Sequence, residues 1–447
     1  MNHTDTPTAG TADPPHEPGL ILRIHRSGED PVQANAGAAN LELTAPIGEN
    51  TAFNVGSVAK QITAYLCVRA VRDHLITLDR PVGGILPGFR IPGVTIADLI
   101  QHRGGIRDAE SLLSLAGFRD LDHYTTDDLL QLAHRQHHRA VEPGRFLYSN
   151  TGYLLLGEVL KHIHSAGLQE IADQQVFTPL GMASARFKTD PREVIPGAAA
   201  SYQPTASGWL HQQRAVTLPG PGSLWCTAAD LDRWLGHLWH EWHSSADDGL
   251  PFEQHLGYQP SDHPPFMYGA GLFADPRPGR AAVFHYGHEQ GFSAATHLTS
   301  SGLRVICLSN HTGIAADHVV AAALAELTSH RGADPSKILA HVLRRRPAPQ
   351  PTCGGRPDSN APHIPIGAYA CGDVPGTLRL TQSAGTLYLW RRGTRDHLTP
   401  TGPATYAADG YTLTLPAAPA DDGEPALDSF VLDLARAPGL RYQRRPD

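Results

Sequence analysis

The 447-residue sequence predicts an α+β fold in two parts, a mixed helix-and-sheet unit followed by a small antiparallel β-barrel. Three observations predict it. Apolar residues recur near 3.6 spacing through much of the first 190 residues. Between about 282 and 308 the period changes to two. A proline-rich stretch then ends at Pro365, and only short strand-like segments follow.

Taken in order, residues 1–17 are polar and proline-rich and read as a disordered leader. They hold no 7–15-residue apolar core, so a secretory signal is not expected. No 18-residue apolar run occurs, so no membrane association is expected. Leu20–Ile24 reads as a first strand. Val58, Ile62, Tyr65, Leu66 and Val71 mark a helix. A largely helical stretch covers about 95–190, and its clearest helix is Tyr153–Ile163 with Asn150 or Thr151 as N-cap. Ala282–Tyr286, Ser293–Thr299 and Leu303–Leu308 read as three adjacent antiparallel strands, the last two joined by a Ser300-Ser301-Gly302 turn. Ala315–Leu327 reads as a helix packing back on that sheet. Expected boundaries are a catalytic unit over 18–330, a linker over 331–362 and a barrel over 363–447. The barrel strands centre on Leu378–Leu380, Leu387–Trp390, Tyr411–Leu415, Phe430–Leu434 and Leu440–Tyr442.

Composition excludes several functions. With 36 basic and 44 acidic residues the chain carries −8, so no basic surplus favours nucleic acid. The five cysteines, Cys67, Cys226, Cys307, Cys353 and Cys371, are scattered and form no CxxC pair. Free thiols in a cytoplasmic protein fit them better than disulfides or zinc. His134/His137/His138 and His237/His240/Glu241/His243 are the densest histidine clusters. Neither has known zinc spacing, and both read as solvated helix faces. No GxGxxG turn or P-loop appears, so no cofactor and no metal is expected. GxSxG is absent as well. Only four of the 36 basic residues are lysine: Lys60, Lys161, Lys188 and Lys337.

One of those four has a serine three residues before it. Ser57 and Lys60 fall on one helical face. A serine hydroxyl needs a base beside it at neutral pH. Lysine is that base only if burial and nearby positive charge bring its pKa down toward ~7–8. Alone the spacing says little, since a capping serine and a surface lysine give the same pattern. Tyr148-Ser149-Asn150 adds a phenol able to share protons and an amide able to orient lysine and substrate. Phe284-His285-Tyr286-Gly287-His288 ends a strand. Gly287 there allows close backbone approach, and the following N–H adds an oxyanion donor.

The three elements together, in this order, resemble the S-x-x-K, Y-x-N and K-T-G or H-x-G motifs of the serine β-lactamase and penicillin-binding-protein family, in its class C and D-aminopeptidase-like branch. Phe53–Ser57 resembles the family's lead-in to the nucleophile. Thr95–Asp108 resembles its LLTHTSGL loop, and Pro219–Leu231 its GGGLWSTADDLARW segment. The resemblance covers about 18–330, and the C-terminal strands resemble the lipocalin-like barrel of some members. It implies a β-lactamase-like catalytic domain, an antiparallel sheet flanked by helices plus a helical lobe. It implies Ser57 as acyl-enzyme nucleophile, Lys60 and Tyr148 as proton carriers and Asn150 as a substrate-positioning group. His285 would replace the motif lysine, with the oxyanion hole formed by the Ser57 and His288 N–H groups beside Gly287.

The expected activity is serine acyl transfer on peptide-like thioesters, esters or amides. One branch is a penicillin-binding-protein-type thioesterase that releases or cyclises a nonribosomal peptide delivered by a peptidyl carrier protein. A D-aminopeptidase or esterase acting on small amides or esters is the alternative. A degenerate, non-catalytic scaffold is the third reading, against which the complete motifs argue.

Overall fold

The structure, a computed structural model, describes residues 16–118, 122–212, 215–244, 250–252, 255–329, 334–344, 366–402, 404–415 and 428–446. Except for its last two residues, the leader expected over 1–17 lies outside them.

The first unit is built on an eight-stranded antiparallel sheet. Its strands are β1 (Leu20–His25), β2 (Val32–Ala36), β3 (Gln259–Pro260), β4 (Met267–Gly269), β5 (Leu272–Asp275), β6 (Ala282–Glu289), β7 (Phe292–Thr299) and β8 (Arg304–Ser309). Their order across the sheet is β3-β4-β5-β6-β7-β8-β1-β2. β1 therefore lies between its sequence neighbour β2 and the distant β8, with Leu20 opposite Ser309. The three period-two segments of the sequence are β6, β7 and β8, adjacent and antiparallel as expected. Gln290 and Gly291 turn β6 into β7, both with positive φ (50° and 81°). That conformation matches the twist of a two-residue hairpin and favours glycine.

Helices cover both faces. On one lie α1 (Lys60–Arg72) and α6 (Ala228–Ser244), and α5 (Asn150–His164) packs against α1 from the helical lobe. Ten of the thirteen residues of α1 are buried, so it is a core helix with no solvent face. The other face carries α7 (Ala316–Ser329) and α8 (Pro335–Arg344). Here the structure corrects the linker expected over 331–362. Ile338 and Leu339 are adjacent on the helix face turned to the sheet and are buried with Leu22 and Ile24 of β1, so the segment folds as α8. The proline-rich remainder, 345–365, lies outside the described residues. The helical lobe contains α2 (Ile96–Ile100), α3 (Ala109–Leu115) and α4 (Thr126–His134).

The C-terminal unit is a closed barrel of eight antiparallel strands: β9 (Gly367–Ala370), β10 (Leu378–Ser383), β11 (Thr386–Arg391), β12 (Thr394–Gly402), β13 (Thr405–Ala408), β14 (Tyr411–Thr414), β15 (Ser429–Leu434) and β16 (Ala437–Arg444). β9 pairs with β16 to close it. Tyr369, Leu380, Leu389, Leu413, Leu432 and Leu440 fill the interior. β9, β12 and β13 were not among the strands expected from sequence. β12 reads Thr-Arg-Asp-His-Leu-Thr-Pro-Thr-Gly and buries only Leu398 fully, so the apolar alternation that marks a strand is missing.

The barrel is docked on the helical lobe. Its apolar core is continuous with Leu112, Leu115 and Leu129 of α3 and α4. Arg107 donates to the Pro438 and Gly439 carbonyls (2.8 and 3.2 Å) and pairs with Asp373 (3.1 Å). The β15–β16 hairpin is thereby held against the loop that leads into α3. No helix among the described residues is long and apolar enough to cross a membrane.

Candidate active site

Ser57 sits in the 3₁₀ turn Gly56–Ala59 that runs straight into α1. The turn is tight because Gly56 adopts φ +49° and donates its N–H to the buried Asn54 side chain (3.0 Å). Gly56 lies against β6, and a Cβ there would stand 3.0 Å from the His288 nitrogen. From the other side, a Cβ on Gly287 would stand 2.2 Å from the Val55 carbonyl oxygen and 2.7 Å from the Ser57 nitrogen. Only glycine permits this approach, which sets the backbone around Ser57 beside the end of β6.

The spacing of three does what the sequence suggested. The Lys60 Nζ is 2.9 Å from Ser57 Oγ, 2.7 Å from Asn150 Oδ1 and 2.8 Å from the Pro221 carbonyl. Lys60 is fully buried, and its pKa falls to about 7. Burial is the main cause and the positive charge of Arg436 the second, opposed by Asp108, Glu110 and Glu289. At neutral pH a large fraction of this amine is free to accept a proton.

Tyr148 packs its ring 4.9 Å from Lys60 Nζ and shares a hydrogen bond with Ser57. Burial pushes its phenol above the usual range, against the pull of Ser57 and Arg436. His102 lies beneath the ring at 4.2 Å, kept neutral by burial. Asn150 is the first residue of α5, and its side chain serves the site. Its Oδ1 accepts from Lys60 and its Nδ2 donates to Glu110 (2.7 Å). The N-cap is therefore Ser149, whose hydroxyl accepts from Gly152, and not Asn150 or Thr151.

His285 is placed differently from the other motif residues. It is buried, with Nδ1 at 2.7 Å from the Tyr286 carbonyl and Nε2 at 3.3 Å from the Tyr268 hydroxyl. Burial first, then the charge of Lys60, pushes its pKa down to about 3. It stands behind Tyr148, 6.4 Å between rings, and lines neither cavity beside Ser57. Alternation along β6 explains this: 285 and 287 face inward, whereas Tyr286 and His288 line the open side. β6 is also not an edge strand along its whole length. Among the described residues it pairs with β5 over Ala282–Phe284, and 285–289 have no strand partner on that side.

Two cavities meet at Ser57, one of 930 Å³ and one of 330 Å³. Ser57, Glu110, Asn150 and His288 line both. The larger is walled by Tyr148 and Tyr286 on one side and by Asp433, Arg436 and Pro438 of the barrel hairpin on the other. The Arg436 guanidinium lies 4.6 Å from the centre of the Tyr148 ring, and its carbonyl accepts from the Asp108 N–H (2.9 Å).

Sequence reasoning missed Arg436, Glu110, Glu289 and the Pro221 carbonyl. Pro221 lies in a segment already matched to the family. Nothing near Arg436 in the chain marks it. The histidine clusters do other work: His237 meets the Tyr65 hydroxyl (2.9 Å), and Glu241 pairs with Arg72 (2.8 Å). Among the described residues no group of His, Cys, Asp or Glu is placed to hold a metal ion.

A protein-family model described as Beta-lactamase matches residues 10–329. The chain belongs to the beta-lactamase family. That is a family of serine hydrolases, and the Ser57–Lys60 geometry has its form. Among curated relatives, a D-aminopeptidase of Cereibacter sphaeroides is 24% identical over 71% of this chain and 62% of its own length. Penicillin-binding protein 4* of Bacillus subtilis is 26% identical over 42% and 41%. The chain spans about three fifths of the length of the D-aminopeptidases it matches.

Two solved structures share the two-part architecture nearly end to end. The octameric penicillin-binding protein homologue of Pyrococcus abyssi aligns with a TM-score of 0.62 at 21% identity, over 95% of this chain and 96% of that one. SurE aligns with a TM-score of 0.57 at 23% identity, over 96% and 95%. D-amino acid amidase of Ochrobactrum anthropi SV3, solved with D-phenylalanine, has a TM-score of 0.55 and 19% identity over 66% of this chain and 87% of its own.

Proposed function

We propose that this beta-lactamase-family enzyme takes a peptidyl thioester onto Ser57 and passes the acyl group to an amine or to water, releasing or cyclising a nonribosomal peptide. Neutral Lys60 accepts the Ser57 hydroxyl proton as Oγ attacks the carbonyl. The developing oxyanion lies between the N–H groups of Ser57 and His288, which the bare Gly287 lets come together. The thiol departs with a proton delivered through Lys60 and Tyr148. The incoming amine or water then loses its proton to the same pair. Asn150 holds Lys60 in line. His285 acts from behind, as a neutral ring supporting Tyr268 and Tyr148.

The observation that carries this reading is the 930 Å³ cavity walled by the barrel hairpin. It has room for several residues of a peptidyl chain beside Ser57. The 330 Å³ cavity on the other side leaves space for a second reactant. The acyl residue is proposed to be D-configured, since the full-length fold match to SurE includes a complex with D-Leu and the amidase carries D-phenylalanine. In this reading the donor arrives on a carrier protein in the cytoplasm. The free cysteines Cys67, Cys226, Cys307 and Cys371 suit that setting.

The D-aminopeptidase names of the relatives favour a second reading, hydrolysis of small D-amino acid amides or esters. One assay separates the two. The enzyme is incubated with a peptidyl N-acetylcysteamine thioester ending in a D-residue and, separately, with D-amino acid amides. The thioesterase reading expects an acyl adduct on Ser57 and a cyclic or released peptide. Amide hydrolysis with the thioester untouched establishes the aminopeptidase reading instead.

A further inference from the structure

Glu289 ends β6, one residue beyond the His288 amide. Its carboxylate reaches across to the loop at 218–223. Glu289 Oε2 accepts from the Ser223 N–H (2.7 Å), and Oε1 accepts from the Ser223 hydroxyl (2.7 Å). That hydroxyl in turn accepts from the Leu218 N–H (2.7 Å). The loop also contains Pro221, whose carbonyl holds Lys60. The carboxylate lies so close to Gly222 that a Cβ there would stand 2.3 Å from Oε2. On its near side the Glu289 Cβ lies 3.3 Å from where a Cβ on Gly56 would be. Ser223 is buried at φ +54°, a backbone state uncommon for serine and held here by these three bonds.

We propose that Glu289 is a positioning residue for the acylation step: its carboxylate ties the oxyanion end of β6 to the loop that presents the Pro221 carbonyl to Lys60, so that the His288 N–H donor for the oxyanion and the base for Ser57 are fixed as one unit. The inference rests on Ser57 as nucleophile and Lys60 as base. It does not depend on which acyl donor is natural.

Two effects follow from one side chain. The bidentate bond holds the loop in register, and the negative charge supports the ammonium form of Lys60. The charged groups acting on Lys60 are Arg436 from the barrel, Asp108 at the N-cap of α3, Glu110 in its first turn, and Glu289 from β6. The neutral rings of Tyr148, Tyr153, His102 and His285 surround it as well. Glu289 also bonds the loop that carries Pro221.

The test is the rate of Ser57 labelling by a fluorophosphonate, read by intact mass on the full chain between pH 5 and 10. Glu289→Gln is expected to label about ten- to a hundredfold more slowly at its optimum, with the acid limb displaced to lower pH. Glu289→Asp keeps the charge but falls one methylene short. It is expected to lose rate while the limb stays near that of the wild type. Ser223→Ala removes one bond and no charge, so it should lose less rate, again with an unmoved limb. It also serves if Glu289→Gln does not fold. Wild-type rates in Glu289→Gln and Ser223→Ala would overturn the proposal. So would a Glu289→Gln loss in which the limb does not move and only the melting temperature falls. A wild-type chain that takes no label overturns the reading of Ser57 itself, together with this inference.

Discussion

The Arg436 guanidinium lies 4.6 Å from the centre of the Tyr148 ring, so a residue of the C-terminal barrel forms part of the wall beside Ser57. Its charge is the second-largest influence holding the Lys60 pKa down, after burial. Removing it lets Lys60 keep its proton to higher pH. In Arg436→Ala the acid limb of kcat/KM should therefore move up in pH, and Arg436→Lys should move it less. KM for a peptidyl thioester should rise several-fold, since the cavity loses a wall. A pH–rate profile of the two variants checks both effects.

In its proposed role as base, Lys60 has no substitute in arginine, because guanidinium does not deprotonate in this range. Lys60→Arg should lower kcat/KM by about a thousandfold or more. The wild type should gain activity as pH rises through about 7, the pKa of the buried amine. Steady-state rates on an activated ester measure both.

The same amine makes stability depend on pH. In the unfolded chain its pKa returns to about 10.4, while in the fold it is about 7. Between those values the unfolded chain holds a proton that the native state does not. Raising pH through that window therefore favours the fold, by up to about 4 kcal/mol for this group. Below about 7 the handicap of the buried charge is fully present. Denaturant unfolding at pH 7 and pH 10 should show the wild type gaining a few kcal/mol on Lys60→Met. Equal gains in both proteins would contradict it.

At Gly287, alanine places a methyl 2.2 Å from the Val55 oxygen and 2.7 Å from the Ser57 nitrogen. Backbone must move, and the paired amides move with it. Gly287→Ala should cost about a hundredfold or more in kcat. The far-UV spectrum should be unchanged. Labelling of Ser57 should fall in parallel.

Arg107 ties the helical lobe to Pro438, Gly439 and Asp373 of the barrel. Its guanidinium is largely buried, so its loss leaves two carbonyls and a carboxylate short of a donor. Arg107→Ala should loosen the hairpin and raise KM for a peptidyl thioester. Turnover of a small acetyl ester should change much less. Limited proteolysis should release the barrel faster than in the wild type.

Local chemistry decided what could be read from sequence. Ser57 and Lys60 were legible because three residues on a helix fix their distance, and Gly287 because only glycine fits that approach. β6, β7 and β8 were legible from alternation over six to eight residues. Arg436 was not, because it joins the site by the docking of a second unit across almost 380 residues of chain. Ser149 was overlooked as a cap because Asn150 is as good a capping residue by type. Its amide is instead committed to Lys60 and Glu110. α8 was hidden by the proline run directly behind it. His285 stands at the third motif's position in sequence, yet strand parity turns its ring inward.

The pairing of Leu20 with Ser309 has a consequence for synthesis. β1 leaves the ribosome ahead of its partner β8, which emerges nearly 290 residues later. At about 5–20 residues per second that is on the order of fifteen to sixty seconds. Throughout that time Leu20, Leu22 and Ile24, all buried in the finished sheet, have no neighbour on that side. The nascent chain passes through a long interval with an unpaired apolar strand, and a trigger-type chaperone bound over residues 20–25 would be most useful then.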